Sequence, residues 1–212
     1  MVFFAVAIAI VAMLPYLTFN PENFAPVFDG RFPDMSVIWL YIHVFTGGIA
    51  LLTGPFQFWK WLRNKHRNIH RLLGRVYMFA GIFPASISGI VIAQGTVAGW
   101  TGALGFSLMA VFWFASGAMA LYAILNKDVQ THRRWMIRNF ALTMAAVTLR
   151  LWIPVLIIGQ VPAGIDPEQA FNTAYQLVPW LSWIPNLIIA EFIIRALMPS
   201  RQSASHTLVQ ET

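Results

Sequence analysis

Six runs of predominantly apolar residues, each long enough for a membrane-crossing helix, dominate the chain. A transmembrane α-helix needs about 20 such residues. The runs therefore predict an all-α fold, a polytopic membrane helical bundle that forms a single transmembrane domain, 1–212. We expect a four-helix core built from the second to the fifth span. The six predicted spans are 2–19, 37–58, 72–93, 101–124, 137–158 and 177–197.

Composition agrees with a membrane-embedded chain and removes several classes of function. Of the 212 residues, 58% are hydrophobic and only 10% are charged. The net charge of +6 does not indicate a nucleic-acid partner, because the basic residues are concentrated in a few loops; membrane lipid is the expected partner. The chain has no cysteine, so it forms no disulfide, thiolate metal site or iron–sulfur cluster of its own. No basic residue precedes the first apolar run and no small-x-small site follows it, so we expect a retained helix rather than a signal peptide.

The charge of the loops predicts the orientation in the membrane, because cytoplasmic loops are enriched in Lys and Arg. The loops 59–71 and 126–136 and the C-terminal tail are mainly basic, with Lys60, Arg63, Lys65, Arg67, Arg71, Lys127, Arg133, Arg134 and Arg201. The loops 20–36 and 159–176 are mainly acidic, with Glu22, Asp29, Asp34, Asp166 and Glu168. We expect a multi-pass protein of the bacterial inner (plasma) membrane, both termini cytoplasmic, with Trp100, Trp180 and Trp183 at the outer interface.

Arg150 is a charged residue inside an apolar span. It lies ~18 Å along the helix from Arg138 and therefore beyond the membrane midpoint. An arginine at this depth costs about 3 kcal/mol on insertion scales, so its side chain should face protein, water or a ligand. His43 lies in the same outer half of the bundle. The two residues predict a polar pocket, and one hypothesis is a non-enzymatic transporter or small-molecule-binding membrane protein that uses it.

His70 and His132 precede the third and fifth predicted spans on the same side of the membrane. In membrane cytochromes, imidazoles from facing helices ligate the haem iron, and arginines neutralise the propionates. The other main hypothesis is therefore electron transfer through haem b, with His70 and His132 as iron ligands, or through a quinone site, with a quinone or a redox protein as partner. The further candidate contacts to the cofactor are His43, Arg71, Arg75, Arg138 and Arg150. Alternatively, both histidines are interfacial and the arginines anchor the chain to anionic lipid.

Glu191 is a further ionisable residue inside a predicted span. Arg195, one turn along the same helix, is its expected partner, and Arg150 at similar depth is the alternative. The chain contains no phosphate-binding glycine motif, no nucleophile elbow and no His–Glu pair with zinc-site spacing. Whether it turns over a substrate is therefore left open.

Several motifs together resemble a bacterial family of predicted membrane proteins that is catalogued only as a domain of unknown function. The motifs are HxxxG from His43, ALxxGPFQF from Ala50, HRxxGRxY from His70 and HRxWMIRNxALT from His132, with Arg150 beyond them. The resemblance implies an integral membrane protein with a polar constellation at these positions, and it implies no activity. The helical layout is more loosely similar to cytochrome b561-type and ferric-reductase-type bundles. This chain lacks their two histidines per facing helix pair, which argues against two haems.

Overall fold

The computed structural model describes residues 2–18 and 34–198. In this part of the chain nearly every residue is helical and no strand is present, which confirms the all-α fold class. Most of the predicted acidic loop 20–36, with Glu22 and Asp29, lies outside the described residues, as does the tail with Arg201.

Ten α-helices follow one another in the described residues. They are α1 (Val2–Met13), α2 (Asp34–Thr53), α3 (Lys60–Lys65), α4 (Arg67–Arg75), α5 (Phe83–Ala93), α6 (Gly99–Leu125), α7 (Val129–Thr143), α8 (Ala145–Gln160), α9 (Pro167–Leu181) and α10 (Ile184–Leu197). A π-helical turn, Val76–Ile82, joins α4 to α5, and 3₁₀ turns follow α1, α2 and α8.

Five segments of the described residues are long and apolar enough to cross a membrane. They are Val37–Phe58, Arg67–Ala93, Gly99–Leu125, Val129–Ala163 and Pro167–Leu197, and they contain the last five predicted spans. The first predicted span, 2–19, contains a shorter apolar helix, Ala5–Thr18, so a sixth span stays a prediction. Large apolar side chains such as Leu125 and Phe192 are more than 60% exposed, as expected of surfaces that face lipid.

Prolines explain where the long spans change geometry. Proline lacks an N–H, and its ring collides with the carbonyl four residues earlier in a regular α-helix. Pro84 lies in the first turn of α5, immediately after the π turn, whose wider geometry accommodates the missing bond. Pro185 lies in the first turn of α10, and the helix is interrupted just before it, between α9 and α10. The last span is therefore two helices rather than one.

Small residues allow α2 to approach the π turn closely. A Cβ atom added to Gly81 would lie 3.2 Å from the backbone of Ala50, so a side chain at this position would push α2 away from the π turn. One turn further along α2, a Cβ on Gly54 would collide with the ring of Phe140 on α7. These contacts fix the distances between α2, the π turn and α7.

The main buried cluster draws on helices from α2 to α8 and also on the last span. Trp183, expected at the outer interface, is in fact only 6% exposed and belongs to this cluster, with its ring centroid 5.7 Å from that of Phe112. The expectation for Trp183 was wrong because the last span begins at Pro167, ten residues earlier than predicted, which places Trp183 deep within it. A separate four-helix core stays a prediction, since Trp183 packs among its members.

The short connections between packed neighbouring helices make consecutive spans antiparallel. One end of the bundle, which we call the basic end, contains α3, the first turns of α4 and the α6–α7 connection. The other, which we call the far end, contains the α5–α6 and α8–α9 connections. The two ends hold the two groups of candidate site residues.

Candidate functional site

His70 and His132 both lie at the basic end. His70 lies one turn inside α4 and His132 one turn inside α7, and the two imidazoles are close enough for their charges to interact. The Nδ1 atom of His132 lies 2.8 Å from the carbonyl oxygen of Ala120 on α6. A carbonyl only accepts, so Nδ1 carries the proton and Nε2 of the neutral ring has a free lone pair. A histidine held in this way is oriented as metal-ligating histidines usually are.

Several buried polar atoms at the same end have no hydrogen-bond partner among the described residues. Besides Nε of Arg134, they include Nδ1 of His70 and Nε2 of Gln57, whose side chain is 8% exposed. Gly74 is one helical turn from His70, and a Cβ there would lie 3.3 Å from Oε1 of Gln57. The two orphaned atoms therefore belong to neighbouring side chains. Unpaired polar atoms are costly in a protein interior and call for a water, ion or ligand.

Arginine side chains surround the His70 imidazole. The charges of Arg63 and Arg71 both act on it. Arg71 and Arg75, two of the predicted propionate contacts, are exposed on α4 at the basic end. An anionic group near His70 would thus meet guanidinium groups that form no ion pair within the described residues.

Arg138 forms an ion pair with a carboxylate. Its guanidinium forms a two-point ion pair with Glu191 of α10, with an Nη2–Oε2 distance of 3.0 Å, and it lies 4.7 Å from the centre of the Trp135 ring. The expected pairing of Glu191 with Arg195 was wrong, and so was the alternative with Arg150. The contact between α7 and α10 decides the partner, and sequence spacing along one helix does not show it. Arg138 remains a predicted cofactor contact only if this pair opens.

His43 lies at the far end, away from the other two histidines. Its Nδ1 is 2.8 Å from the carbonyl oxygen of Ala85 on α5, so this ring too carries its proton on Nδ1 and leaves Nε2 as an acceptor. A Cβ on Gly89 would lie 3.2 Å from two atoms of the ring. The glycine therefore makes the space that the imidazole occupies between α2 and α5.

Arg150 lies on α8 near His43. One guanidinium nitrogen donates to the carbonyl oxygen of Ala146 at 2.7 Å, and the arginine charge acts on His43, Tyr16 and Tyr175. We call Arg150, His43, Tyr16, Tyr41 and Tyr175 the far-end cluster; Tyr41 belongs to it because its ring meets that of Tyr16 edge-on at 6.1 Å. The shared pocket of His43 and Arg150 stays a prediction, supported by the effect of the Arg150 charge on His43.

Between the two ends lies a buried hydrogen-bond network to which sequence reasoning assigned no role. The Tyr77 hydroxyl lies 2.8 Å from Oδ1 of Asn139 and 2.9 Å from the hydroxyl of Thr143, and Nε1 of Trp113 donates to Thr143 at 3.0 Å. Asn139 also donates to the hydroxyl of Ser116. One feature of the sequence could have indicated this network: Asn139 and Thr143 are polar residues one helical turn apart in an apolar span. Because its polar groups satisfy one another, we interpret the network as structural.

The residues that could hold a metal are histidines alone. Within residues 2–18 and 34–198, no three His, Asp or Glu side chains are grouped as a metal site would require. His66, in the basic loop, is exposed and packs against Trp61 at 4.5 Å. The pair His70 and His132 could therefore supply two ligands to a metal that a macrocycle already holds.

Comparison with known proteins gives one match. The model of the family described as "Predicted membrane protein (DUF2306)" matches residues 40–194, which is more than half of the 212 residues. The comparisons with curated proteins and with solved structures each found no match. The matched range contains every candidate residue discussed above except Tyr16. The chain belongs to the predicted membrane protein family DUF2306.

Proposed function

We propose that this protein is an electron carrier of the bacterial inner membrane that holds one b-type haem between His70 and His132. The observation that carries the proposal is that both imidazoles lie one turn inside helices, α4 and α7, that begin at the same end of the bundle, where the charge of His132 acts on His70. Among the described residues, neither Nε2 of His132 nor Nδ1 of His70 is bonded to protein.

The two imidazoles of His70 and His132 suit a haem better than a free metal ion. Two neutral imidazoles are the axial pair of many b-type cytochromes, and the macrocycle supplies the remaining nitrogens. The hydrogen bond from His132 to the Ala120 carbonyl fixes the tautomer and raises the basicity of Nε2. The orphaned Nδ1 of His70 and Nε2 of Gln57 are polar groups that a bound cofactor would satisfy directly or through water.

The arginines at the basic end have two tasks in this proposal. Arg71 and Arg75 are exposed on the helix that carries His70 and would bind the propionate carboxylates, because guanidinium groups bind carboxylates well. Their positive charge, with that of Arg63, also favours the reduced, less positive form of the site. A b-type haem supplies reversible one-electron transfer when bound, and the protein residues set its position and potential.

The basic end is placed in the cytoplasm, following the positive-inside rule. A redox partner protein or a quinone would then exchange electrons at this end. A quinone bound directly by His70 and His132, without haem, is the alternative within the same hypothesis, since each imidazole can hydrogen-bond a carbonyl oxygen.

Haem content per chain tests the proposal. The protein is expressed with haem precursor supplied and purified in a nonionic detergent, beside His70→Ala, His132→Ala and the control His66→Ala. We expect about one haem per chain in the wild type and in His66→Ala, and a loss of about tenfold in the other two variants. A wild-type protein without haem, or an equal loss in the control, would overturn the proposal.

A second candidate function is small-molecule binding or transport at the far-end cluster. It is favoured by one observation, that Arg150 and His43 lie close together inside the membrane span, where ionisable groups usually have a function. The two candidates use opposite ends of the molecule and do not exclude each other.

A further inference from the structure

Gln57 is a buried polar residue in the turn that joins α2 to α3. Within the 3₁₀ turn Pro55–Phe58, the backbone amide of Gln57 donates to the carbonyl oxygen of Gly54 at 3.0 Å. The ring of Phe58 packs on that of Phe140 of α7, with 5.1 Å between their centroids. The turn is therefore held against α7, and the side chain of Gln57 is only 8% exposed.

The side-chain amide of Gln57 lies over the turn of α4 that begins at His70. A Cβ atom added to Gly74 would lie 3.3 Å from Oε1 and 3.9 Å from Cδ of Gln57. Because Cα–Cβ bonds in a helix tilt toward its N-terminus, this position lies over the turn between residues 70 and 74. A side chain at residue 74 would compete with the amide for this space. The glycine therefore leaves room for a polar group beside His70.

The amide of Gln57 lacks the partners that the buried amide of Asn139 has. Asn139 donates to the carbonyl oxygen of Trp113 and to the hydroxyl of Ser116, both at 2.9 Å. Nε2 of Gln57 is also buried, but it donates to none of the described residues. An apolar side chain would fill the same volume without the cost of burying unpaired N–H groups. A buried amide of this kind indicates a ligand that accepts its hydrogen bond.

We propose that Gln57 is a cofactor-binding residue, whose Nε2 donates a hydrogen bond to a propionate carboxylate of the haem held at His70. This assignment rests on the proposed function and adds a residue that the sequence did not single out. A neutral amide suits a buried position, because burying it in the haem-free protein costs less than burying a charged group. Its bond to an anionic oxygen is stronger than a bond to a neutral one. Arg71 and Arg75, exposed on α4, would bind the other propionate.

The test compares haem with its dimethyl ester, in which both propionates are uncharged. The full chain without haem, in nonionic detergent, is titrated with each compound, and binding is followed by the quenching of tryptophan fluorescence. In Gln57→Leu we expect haem to bind at least about tenfold more weakly than in the wild type, and the ester to bind within about threefold. Gln130→Leu, at an exposed glutamine of α7, is the control and should bind both compounds as the wild type does.

Gln57→Glu provides the same test if leucine disturbs folding, since it keeps the shape of the side chain. Its carboxylate would repel a propionate, so we expect haem to bind at least about tenfold more weakly and the ester to bind as in the wild type. Equal weakening of haem and ester in this variant would overturn the assignment, because the effect would not depend on the propionate charge.

The stability of the haem-free protein separates a binding role from a structural one. Because Nε2 has no partner, haem-free Gln57→Leu should melt at or above the temperature of the wild type. A Gln57→Leu protein that melts below Gln130→Leu, or that binds haem as tightly as the wild type, would overturn this assignment and leave His70 and His132 as the ligand pair. A wild type that binds neither haem nor the ester would overturn the proposed function, and this assignment with it.

Discussion

The Tyr77 hydroxyl is the centre of the buried network that joins the π turn to α7. It hydrogen-bonds both Asn139 and Thr143, and all three residues are at most 3% exposed. In Tyr77→Phe, Oδ1 of Asn139 would be left buried without a donor, which costs about 1–3 kcal/mol. We therefore expect the unfolding free energy in mixed micelles to fall by that amount while haem content per folded chain is retained.

Tyr122→Phe is the matched control for this prediction. Tyr122 is 67% exposed on α6, and loss of its hydroxyl should change the unfolding free energy by less than about 0.5 kcal/mol. If Tyr77→Phe were as stable as Tyr122→Phe, the network would not contribute to stability. If it lost haem while remaining folded, the network would belong to the site.

Gly89 makes room for the His43 ring, and its replacement tests that contact. In Gly89→Ala the new methyl would lie 3.2 Å from two ring atoms, so the imidazole or α5 must shift. We expect a loss of about 1–3 kcal/mol in unfolding free energy. Gly159→Ala on α8 is the control, since nothing lies within 4 Å of its Cβ position, and it should be neutral or stabilising by up to about 1 kcal/mol. Equal stability of the two variants would show that His43 is not held as described.

At the scale of the elements, the lengths of the apolar runs predicted which segments form spanning helices. They predicted less well where those helices begin and end. The segment predicted as 72–93 begins at Arg67, and the one predicted as 137–158 begins at Val129. Helices continue through the basic turns because long Arg side chains reach the polar interface while the backbone stays helical. His70 and His132 are consequently inside helices, one turn from each start, and not in loops.

The sequence alone did not predict which residues of different helices contact one another. The proximity of His70 to His132 and of His43 to Arg150 followed from topology and depth alone. The pairing of Arg138 with Glu191 and the burial of Trp183 depend on how α7, α9 and α10 are rotated and where the last span is interrupted. Single-sequence periodicity does not determine rotation when a helix is apolar on all faces.

Asp128 begins α7 and so helps to position His132. Its carboxylate accepts a hydrogen bond from the amide of Thr131, and this bond lowers the pKa of Asp128. A carboxyl group with a lowered folded-state pKa stabilises the fold above its unfolded pKa, and that contribution is lost as pH falls through the folded value. Asp128→Ala should therefore lower the melting temperature at neutral pH, and its difference from the wild type should shrink below about pH 4.

Asp128→Asn separates capping from charge in the same melting experiment. Asparagine caps helices as well as aspartate does, and it does not titrate. At neutral pH the melting temperature of this variant should be close to that of the wild type. In acid the wild type loses the stabilisation that the Asp128 carboxylate provides, whereas Asp128→Asn should not. A gap between wild type and Asp128→Ala that stays constant from neutral pH to about pH 3 would contradict the assigned role.

At the scale of the whole molecule, the orientation of the basic end decides which compartment each site serves. The chain contains no cysteine, so a single introduced cysteine reports accessibility without background. In intact cells a membrane-impermeant maleimide should label Glu168→Cys at the far end and should label Lys65→Cys at the basic end only after the cells are opened. The reverse pattern would contradict the placement of the basic end in the cytoplasm.

The two ends of the bundle offer different chemistry. The basic end presents two imidazoles with exposed arginines, and the far end presents a guanidinium that, among the described residues, bonds to the Ala146 carbonyl. The network of Tyr77, Asn139 and Thr143 lies between them and joins the π turn to α7.

The reduced-minus-oxidised visible spectrum of the purified protein, expressed with haem precursor supplied, tests the central claim most directly. Two imidazole ligands predict a sharp α-band of a low-spin b-type cytochrome, present in the wild type and in His66→Ala and lost or broadened in His70→Ala and in His132→Ala. A flat spectrum at full haem availability, or a band that survives both substitutions, would contradict the assignment of His70 and His132 as the ligand pair.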